Sequence, residues 1–230
     1  MLGGIDLARH AFAGMPTTSP PGSDGSPRST TRENVGTFVL ALVVALSVRT
    51  GVAQAYEVEG PSMEPTVFQA ERVVVLRCAY GLSLPFVTDA VVMWSAPEVG
   101  DVVIIESPAA DRADLVKRVV GTPGDVISIE RGIVMRNGRP FESAALGHCD
   151  PSREIDPSAD CALTREHDDS GRRSWLTSRS EPSVLDSMSP VVVPEGHVFV
   201  MGDHRDRSND SRHLGPIPVT RVRGRVLFVE

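Results

Sequence analysis

A single lysine stands apart from the other basic residues of the chain. The 230-residue sequence holds 23 Lys and Arg residues, and the one Lys among them is Lys117. Codon bias toward Arg accounts for the excess of Arg, but not for the one position that keeps Lys. A buried Lys can lose its proton, whereas Arg stays charged in proteins. Lys117 is therefore a candidate for chemistry that needs a neutral amine.

A serine in a constrained turn could supply the nucleophile for such an amine. Gly60 and Pro61 precede Ser62, and Pro65 follows it. A turn of this kind can expose a hydroxyl and direct backbone N–H groups at a developing oxyanion. On this segment alone, an ordinary Ser in a Pro-rich turn remains the alternative.

Lys117 begins an apolar run that ends in the Pro-Gly-Asp turn at 123–125. On a strand, Lys117 and Val119 point to the same face, so the amine is expected to be desolvated. Desolvation disfavours the ammonium form and lowers its pKa from about 10.4 toward the working range. A solvent-exposed Lys on an edge strand, which discourages aggregation, is the alternative.

A polar segment at 202–213 follows the apolar run His197–Met201. Within it, Asp210 can pair with Arg212 or Arg205. The same segment holds four side chains that could bind a metal: Asp203, His204, Asp206 and His213. Four such side chains on one loop more often form ion pairs, so no metal is expected. A Ser-His-Asp triad that uses a histidine of this region is formally possible.

These segments, in this order, resemble the conserved boxes of the type I signal peptidase family, whose members are Ser/Lys-dyad serine proteases. The family has four such boxes. Its nucleophile box is matched by residues 60–66 (GPSMEPT), its second box by 99–103 (VGDVV), its lysine box by 117–125 (KRVVGTPGD) and its last box by 201–212 (MGDHRDRSNDSR). Residues 215–218 (GPIP) match the closing turn of the family. One box is a weak signal, but four in order after one apolar segment are specific.

The resemblance implies a role for each matching residue. Ser62 is the expected nucleophile and Lys117 its general base. The residues expected to support them are Ser208, which would hydrogen-bond the amine, the ion pair of Asp210 and Arg212, and the glycines Gly60 and Gly202. The chain departs from the family pattern at His204 and Arg207, where Asn is common, and at Gly60, where some members place a hydroxyl as an oxyanion donor. Here that donor must be backbone or absent.

The resemblance further implies removal of N-terminal signal peptides from exported preproteins, with cleavage after small residues at A-x-A sites and without a metal or organic cofactor. The expected partners are secretory preproteins and membrane lipid, and the protein is expected to be a monomer. A net charge of −7 argues against nucleic acid. The alternatives are a Ser/Lys enzyme of narrower range, such as a self-cleaving regulator or a dedicated processor, and a non-catalytic, membrane-tethered β module.

The chain is predicted to have three regions, of which the last would hold the catalytic residues. Residues 1–34 are expected to be a disordered cytoplasmic tail, because 14 of the 17 residues from Pro16 to Arg32 are Ser, Thr, Pro or Gly. Residues 35–56 are mainly apolar, with one interruption at Arg49, and predict a transmembrane anchor in a bacterial cell membrane, although Ala53-Gln54-Ala55 also fits the end of a cleavable signal peptide. Residues 57–230 would form the extracytoplasmic catalytic domain.

The predicted fold of that domain is mainly β, an antiparallel, barrel-like sheet of the signal peptidase type. Short runs rich in Val and Ile, separated by Gly and Pro, predict its strands at 72–77, 101–106, 116–120, 125–130, 197–201 and 224–229. Asn137-Gly138 predicts a hairpin turn. Residues 62–67 could form one short helical turn.

Residues 141–190 interrupt this pattern. They carry 10 acidic and 5 basic residues and predict a polar surface insertion, a solvated loop without a catalytic part. Cys149 and Cys161 both lie in this segment and could form a disulfide outside the cytoplasm, which would leave Cys78 over.

Overall fold

The computed structural model describes residues 35–42, 52–82, 92–109, 113–150, 152–153 and 160–230. The chain divides into two units, Met1–Val44 and Ala45–Glu230. In the first unit the structure describes one helix, α1, at residues 35–42, with exposed side chains. The tail expected at 1–34 lies outside the described residues.

The transmembrane anchor expected over residues 35–56 is only partly open to comparison, because 43–51 lie outside the described residues. Its final part differs from the expectation: Ala53–Glu57 is a strand that pairs antiparallel with Arg72–Leu76. That neighbouring strand supplies hydrogen-bond partners that hydropathy does not reveal, and Tyr56 packs against the core. Within the described ranges, no helix has both the length and the apolar character needed to cross a bilayer.

The regular secondary structure in the described part of the second unit is almost entirely β. Its strands in chain order are β1 (Ala53–Glu57), β2 (Arg72–Leu76), β3 (Gly81–Leu82), β4 (Val92–Met93), β5 (Val102–Glu106), β6 (Asp114–Gly121), β7 (Val126–Glu130), β8 (Ile133–Arg136), β9 (Arg139–Pro140), β10 (Ser143–His148), β11 (Ala162–His167), β12 (Ser174–Arg179), β13 (Met188–Val192), β14 (His197–Met201), β15 (Ile217–Pro218) and β16 (Val222–Val229). A short helix, α2 (Ser211–Leu214), follows β14, and 3₁₀ turns lie at Val184–Asp186 and Val219–Arg221.

The main sheet has seven strands in the order β1-β2-β16-β5-β6-β14-β15. All of its neighbouring pairs are antiparallel, and bulges interrupt the register of three of them. Bulges bend strands and increase their twist, which curls the sheet. Each of the six predicted strands is present, with boundaries shifted by at most two residues. The mainly β, curled antiparallel architecture is therefore confirmed.

The central strand β5 is buried on both faces, as its unbroken Val-Val-Ile-Ile sequence requires. Val103 and Ile105 pack into one apolar cluster, and Ile104 packs into another that includes Met63 and Val67. The second cluster anchors the turn that carries Ser62, because Met63 and Val67 have no exposed surface.

A four-stranded sheet, β13-β7-β8-β9, extends the domain beyond the main sheet. The predicted turn at Asn137-Gly138 is confirmed: both residues have positive φ, 53° and 75°, between β8 and β9. This is the backbone conformation that Asn-Gly favours in two-residue hairpins.

The segment 141–190 is not the solvated loop that its composition predicts. Its described residues form a three-stranded antiparallel sheet, β10-β11-β12, followed by β13, which pairs with β7. Phe141 and Trp175 pack edge to face at 5.7 Å within an apolar cluster of the domain. Long-range contacts of a few aromatic side chains thus order a segment of polar average composition. Cys149, directly after β10, and Cys161, directly before β11, form a disulfide, and Cys78 is a free thiol.

Candidate active site

The turn that carries Ser62 is closed by local hydrogen bonds. Gly60 enters it with φ 82°, a conformation that residues with a side chain rarely adopt. The Glu64 N–H then donates to the Pro61 carbonyl at 3.0 Å, and the Val67 N–H donates to the Met63 carbonyl at 3.0 Å. The second bond makes a single helical turn. Ser62 therefore lies on a short, closed turn whose apolar neighbours are fixed in the core.

Lys117 reaches this turn from β6. Its Nζ lies 2.8 Å from Ser62 Oγ and 2.8 Å from the Val116 carbonyl oxygen. The side chain is 2% exposed, so the amine is shielded from bulk water. Ser62 and Lys117, which the sequence predicts as nucleophile and base, are 55 positions apart in the chain and lie at hydrogen-bonding distance.

Burial lowers the pKa of Lys117 from its ordinary value to about 8. The carboxylates of Asp210 and Asp203 oppose this shift, and the guanidinium of Arg212 adds to it. Desolvation wins because the charged amine loses its water shell, while the nearest acids are already neutralised by arginines. Near neutral pH a useful fraction of the amine is unprotonated and able to accept a proton.

Those two acids lie in buried ion pairs. Asp203 accepts from Arg118 through Nε and Nη2 at 2.8 and 2.7 Å, and it also accepts from Thr66 Oγ1 at 2.5 Å. Sequence reasoning did not assign a role to Arg118. A signal was available, because an Arg beside Lys117 on an apolar strand needs an acidic partner. The choice among several acids is set by the fold.

Asp210 joins two parts of the last box. It caps α2, accepts from the Gly202 N–H at 2.9 Å and forms a two-point pair with Arg212 at 2.8 Å each. Burial by itself would raise the pKa of Asp210, but Arg212, the Gly202 N–H and the Ser208 hydroxyl together lower it. Of the two expected pairings, the structure has Asp210 with Arg212, and Arg205 instead pairs with Glu166.

Gly202 and Ser208 lie directly against the nucleophile turn. A Cβ on Gly202 would fall 2.3 Å from Ser208 Oγ and 2.4 Å from the Ser62 carbonyl oxygen, so only glycine fits there. Among the described residues, Ser208 Oγ makes no hydrogen bond to the Lys117 amine, whose partners are Ser62 and Val116. The Ser208 hydroxyl is buried and has no hydrogen-bond partner among the described residues, and its proximity makes a small contribution to the lowered pKa of Asp210.

His204 is buried beside the turn but does not face the hydroxyl. Its Nε2 is 3.1 Å from Ser180 Oγ, and its Nδ1 is 3.7 Å from a Glu64 carboxylate oxygen. Its contact with Ser62 is through the backbone, where the His204 N–H donates to the Ser62 carbonyl at 3.1 Å. This geometry does not assemble a Ser-His-Asp triad. Nor do the described residues contain a group of three or more His, Cys, Asp or Glu side chains placed to hold a metal.

Residues 31–229 match the family model described as signal peptidase, peptidase S26. The chain belongs to this family. The match includes every residue of the site described above, from the nucleophile turn to α2.

Two relatives agree with the family match in their sequences. The probable signal peptidase I-1 of Synechocystis is 30% identical over 210 residues, which cover 88% of this chain and 84% of that protein. The signal peptidase I of Bacillus licheniformis is 31% identical over 208 residues, covering 88% of this chain and 92% of its own. A crystal structure of a signal peptidase I from Enterococcus faecalis aligns with 57% of this chain and 97% of its own, at 25% identity and a TM-score of 0.33.

Proposed function

We propose that this protein is a serine endopeptidase that removes N-terminal signal peptides from exported preproteins, with Ser62 as nucleophile and Lys117 as general base. The observation that carries the proposal is the 2.8 Å approach of the buried Lys117 amine to Ser62 Oγ. Membership of the signal peptidase family supports the substrate class. The lowered pKa of the amine supports its role as the base.

In the first step the neutral amine takes the proton of Ser62 Oγ while the oxygen attacks the scissile carbonyl carbon. The resulting ammonium group then gives that proton to the departing amine, which becomes the new N-terminus of the mature protein. Water next loses a proton to the same amine and attacks the ester. As the bond to Ser62 Oγ breaks, the ammonium group returns this proton to the oxygen, and the signal peptide leaves with a free carboxyl group. Val116 supports this cycle, because its carbonyl accepts from Nζ and keeps the amine directed at the hydroxyl.

We expect a backbone N–H group to stabilise the oxyanion. The Ser62 N–H makes no hydrogen bond with the described part of the chain and can donate to the developing charge. Gly60 carries no hydroxyl, and an added Cβ there would meet nothing within 4 Å. The supporting residues position the reacting groups. Gly202 has no side chain, which lets the last box lie directly against the nucleophile turn, and the ion pair of Asp210 and Arg212 stabilises the conformation of the last box.

The substrate would bind as an extended strand beside the site, with shallow pockets that admit small residues at the first and third positions before the cut. The proposed setting is a bacterial cell membrane, with a single anchor that ends before the strand Ala53–Glu57, the tail of 1–34 in the cytoplasm and the catalytic domain outside. Secretory preproteins and membrane lipid are the proposed partners, and the protein would act as a monomer without a cofactor.

The test is cleavage of a preprotein with an A-x-A site by the full chain in detergent. Wild type should release the signal peptide, and Ser62→Ala and Lys117→Arg should each lose at least 10³-fold in rate, because the former lacks the nucleophile and the latter cannot lose its proton. His204→Ala is the matched comparison, because its ring does not contact the hydroxyl. Turnover that survives in Lys117→Arg and is abolished in His204→Ala would overturn the assignment of the base.

A further inference from the structure

The inserted sheet reaches the nucleophile turn through one serine. Ser178 lies on β12 and is 1% exposed. Its hydroxyl donates to the Glu64 carbonyl oxygen at 2.9 Å. Glu64 is the residue whose N–H closes the turn at Pro61, with Ser62 between them. The Ser178 hydroxyl therefore holds one end of the turn that presents the nucleophile.

The backbone of the same serine holds the last box. The Ser178 N–H donates to the Asp203 carbonyl at 2.9 Å, and the Arg205 N–H donates to the Ser178 carbonyl at 2.9 Å. These two bonds form a parallel bridge between Ser178 and His204. His204, in the middle of the bridged segment, donates its N–H to the carbonyl of Ser62. Ser178 thus acts on the nucleophile turn by two routes, one that ends at the carbonyl of Glu64 and one that ends at the carbonyl of Ser62.

These routes matter because the turn has to be held at a fixed distance from β6. Asp203, whose carbonyl Ser178 binds, also bonds Thr66 on the nucleophile side and Arg118 beside the base. A displacement of about 1 Å in a catalytic group can cost about 100-fold in rate. Since Glu64 and Asp203 are both buried, a lost hydrogen bond there is not replaced by bulk water.

We propose that Ser178 is a positioning residue for Ser62, which aligns the nucleophile turn with the last box through the carbonyl of Glu64 and the bridge to residues 203–205. The inference rests on the proposed role of Ser62 as nucleophile. It assigns to the inserted segment a part in catalysis that its composition does not suggest. Ser178 does not contact Ser62 Oγ or Lys117 Nζ, so its effect is on placement alone.

The chain offers a matched control on the same strand. Thr177 is also buried, but its hydroxyl is directed within the inserted sheet, 3.5 Å from the Thr164 carbonyl oxygen. Ser178→Ala and Thr177→Ala each remove one buried hydroxyl from β12, and only the former releases the nucleophile turn. Ser178→Cys keeps the side-chain shape with a weaker donor and serves as a milder second variant.

The experiment uses the full chain in detergent and two independent measurements. The first is kcat and KM on the A-x-A preprotein. The second is the rate at which a fluorophosphonate probe labels Ser62, with Ser62→Ala as the unlabelled reference. Melting temperatures of all variants show that they are folded at the assay temperature.

Ser178→Ala should lower both kcat and the labelling rate about tenfold, with KM within twofold of wild type; tenfold corresponds to about 1.4 kcal/mol, the scale of one hydrogen bond. Thr177→Ala should stay within twofold of wild type in each quantity. Ser178→Cys should show an intermediate loss, about threefold, and decides the matter if Ser178→Ala does not fold.

Equal kcat and labelling in wild type and Ser178→Ala would overturn the inference, as would an equal loss in Thr177→Ala or a change confined to KM. A wild type that labels at Ser62 but leaves the preprotein intact would overturn the proposed substrate alone, and the labelling rates would still decide the role of Ser178. A wild type that neither labels nor cleaves would overturn both.

Discussion

Replacing Lys117 with methionine should stabilise the folded protein at neutral pH while abolishing turnover. Methionine keeps a linear side chain of similar length and carries no charge. In the native state the amine is shielded from water, and burial lowers its pKa to about 8 from the ordinary 10.5. At neutral pH the folded protein therefore bears the cost of holding a desolvated cation, and the variant does not.

The size of the effect follows from the difference between the two pKa values. A shift of about 2.5 units corresponds to about 3 kcal/mol of stability lost when the amine is protonated in both states. The native pKa is the lower one, so the unfolded chain binds more protons between pH 8 and 10.5, and wild-type stability rises with pH across that window. About 2 kcal/mol of the advantage of Lys117→Met should vanish between pH 7 and 9.5.

The assay is urea unfolding of the full chain in detergent, followed by tryptophan fluorescence at pH 7 and pH 9.5. Trp175 is buried and reports loss of the core. Arg165→Met provides the control, because it removes an exposed cation from β11 that stays charged over this range. Its effect should be within about 0.5 kcal/mol and independent of pH.

The pH dependence distinguishes a lowered pKa of Lys117 from an ordinary one. The loss of hydrogen bonds to Ser62 and Val116 adds a constant to the comparison, but it does not change between the two pH values. If Lys117→Met and wild type differ by the same amount at pH 7 and pH 9.5, the amine has an ordinary pKa in the folded state. The proposal that it serves as a neutral base would then lose its physical ground.

Three further outcomes are expected of the site. The kcat/KM of wild type should rise about tenfold per pH unit below pH 8 and level off above it, because only the neutral form of Lys117 accepts the proton; a flat profile from pH 6 to 9 would exclude that base. Gly202→Ala should lower kcat at least tenfold in steady-state assays, since its Cβ would overlap the nucleophile's carbonyl oxygen and the neighbouring hydroxyl; wild-type kcat would show that the last box can move aside. Asp210→Asn should destabilise the fold by about 3–5 kcal/mol in thermal melts, because it leaves the guanidinium of Arg212 buried without its counter-charge; an unchanged melting temperature would refute a structural role for the pair.

The chemistry of the site could be predicted from local features. Lys117 is the one lysine of the chain, Ser62 lies in a Gly-Pro turn, and both stand in ordered boxes. Residue type and short spacing carry that information. Five of the seven strands of the main sheet were predictable for the same reason, because runs of Val and Ile bounded by Gly and Pro are local signals. Hydrophobic character also led to one error, at Ala53–Glu57, since an apolar run does not distinguish a helix from a strand that pairs with a neighbour.

Pairings between distant residues were decided by the tertiary structure. Arg118 selects Asp203 across 85 positions, and Ser178 reaches Glu64 across 114. No local pattern specifies such partners, because several acids and carbonyl groups along the chain could serve equally well until the fold places one of them within 3 Å.

The sequence by itself thus determined which groups could react: one hydroxyl in a tight turn and one amine able to lose its proton. The tertiary structure decided the environment that makes them reactive. Burial of Lys117 lowers its pKa, and the sheet of residues 141–190 contacts the nucleophile turn from behind. Both depend on segments far apart in the chain being packed together, because desolvation and alignment are properties of an enclosed site and not of any one residue in it.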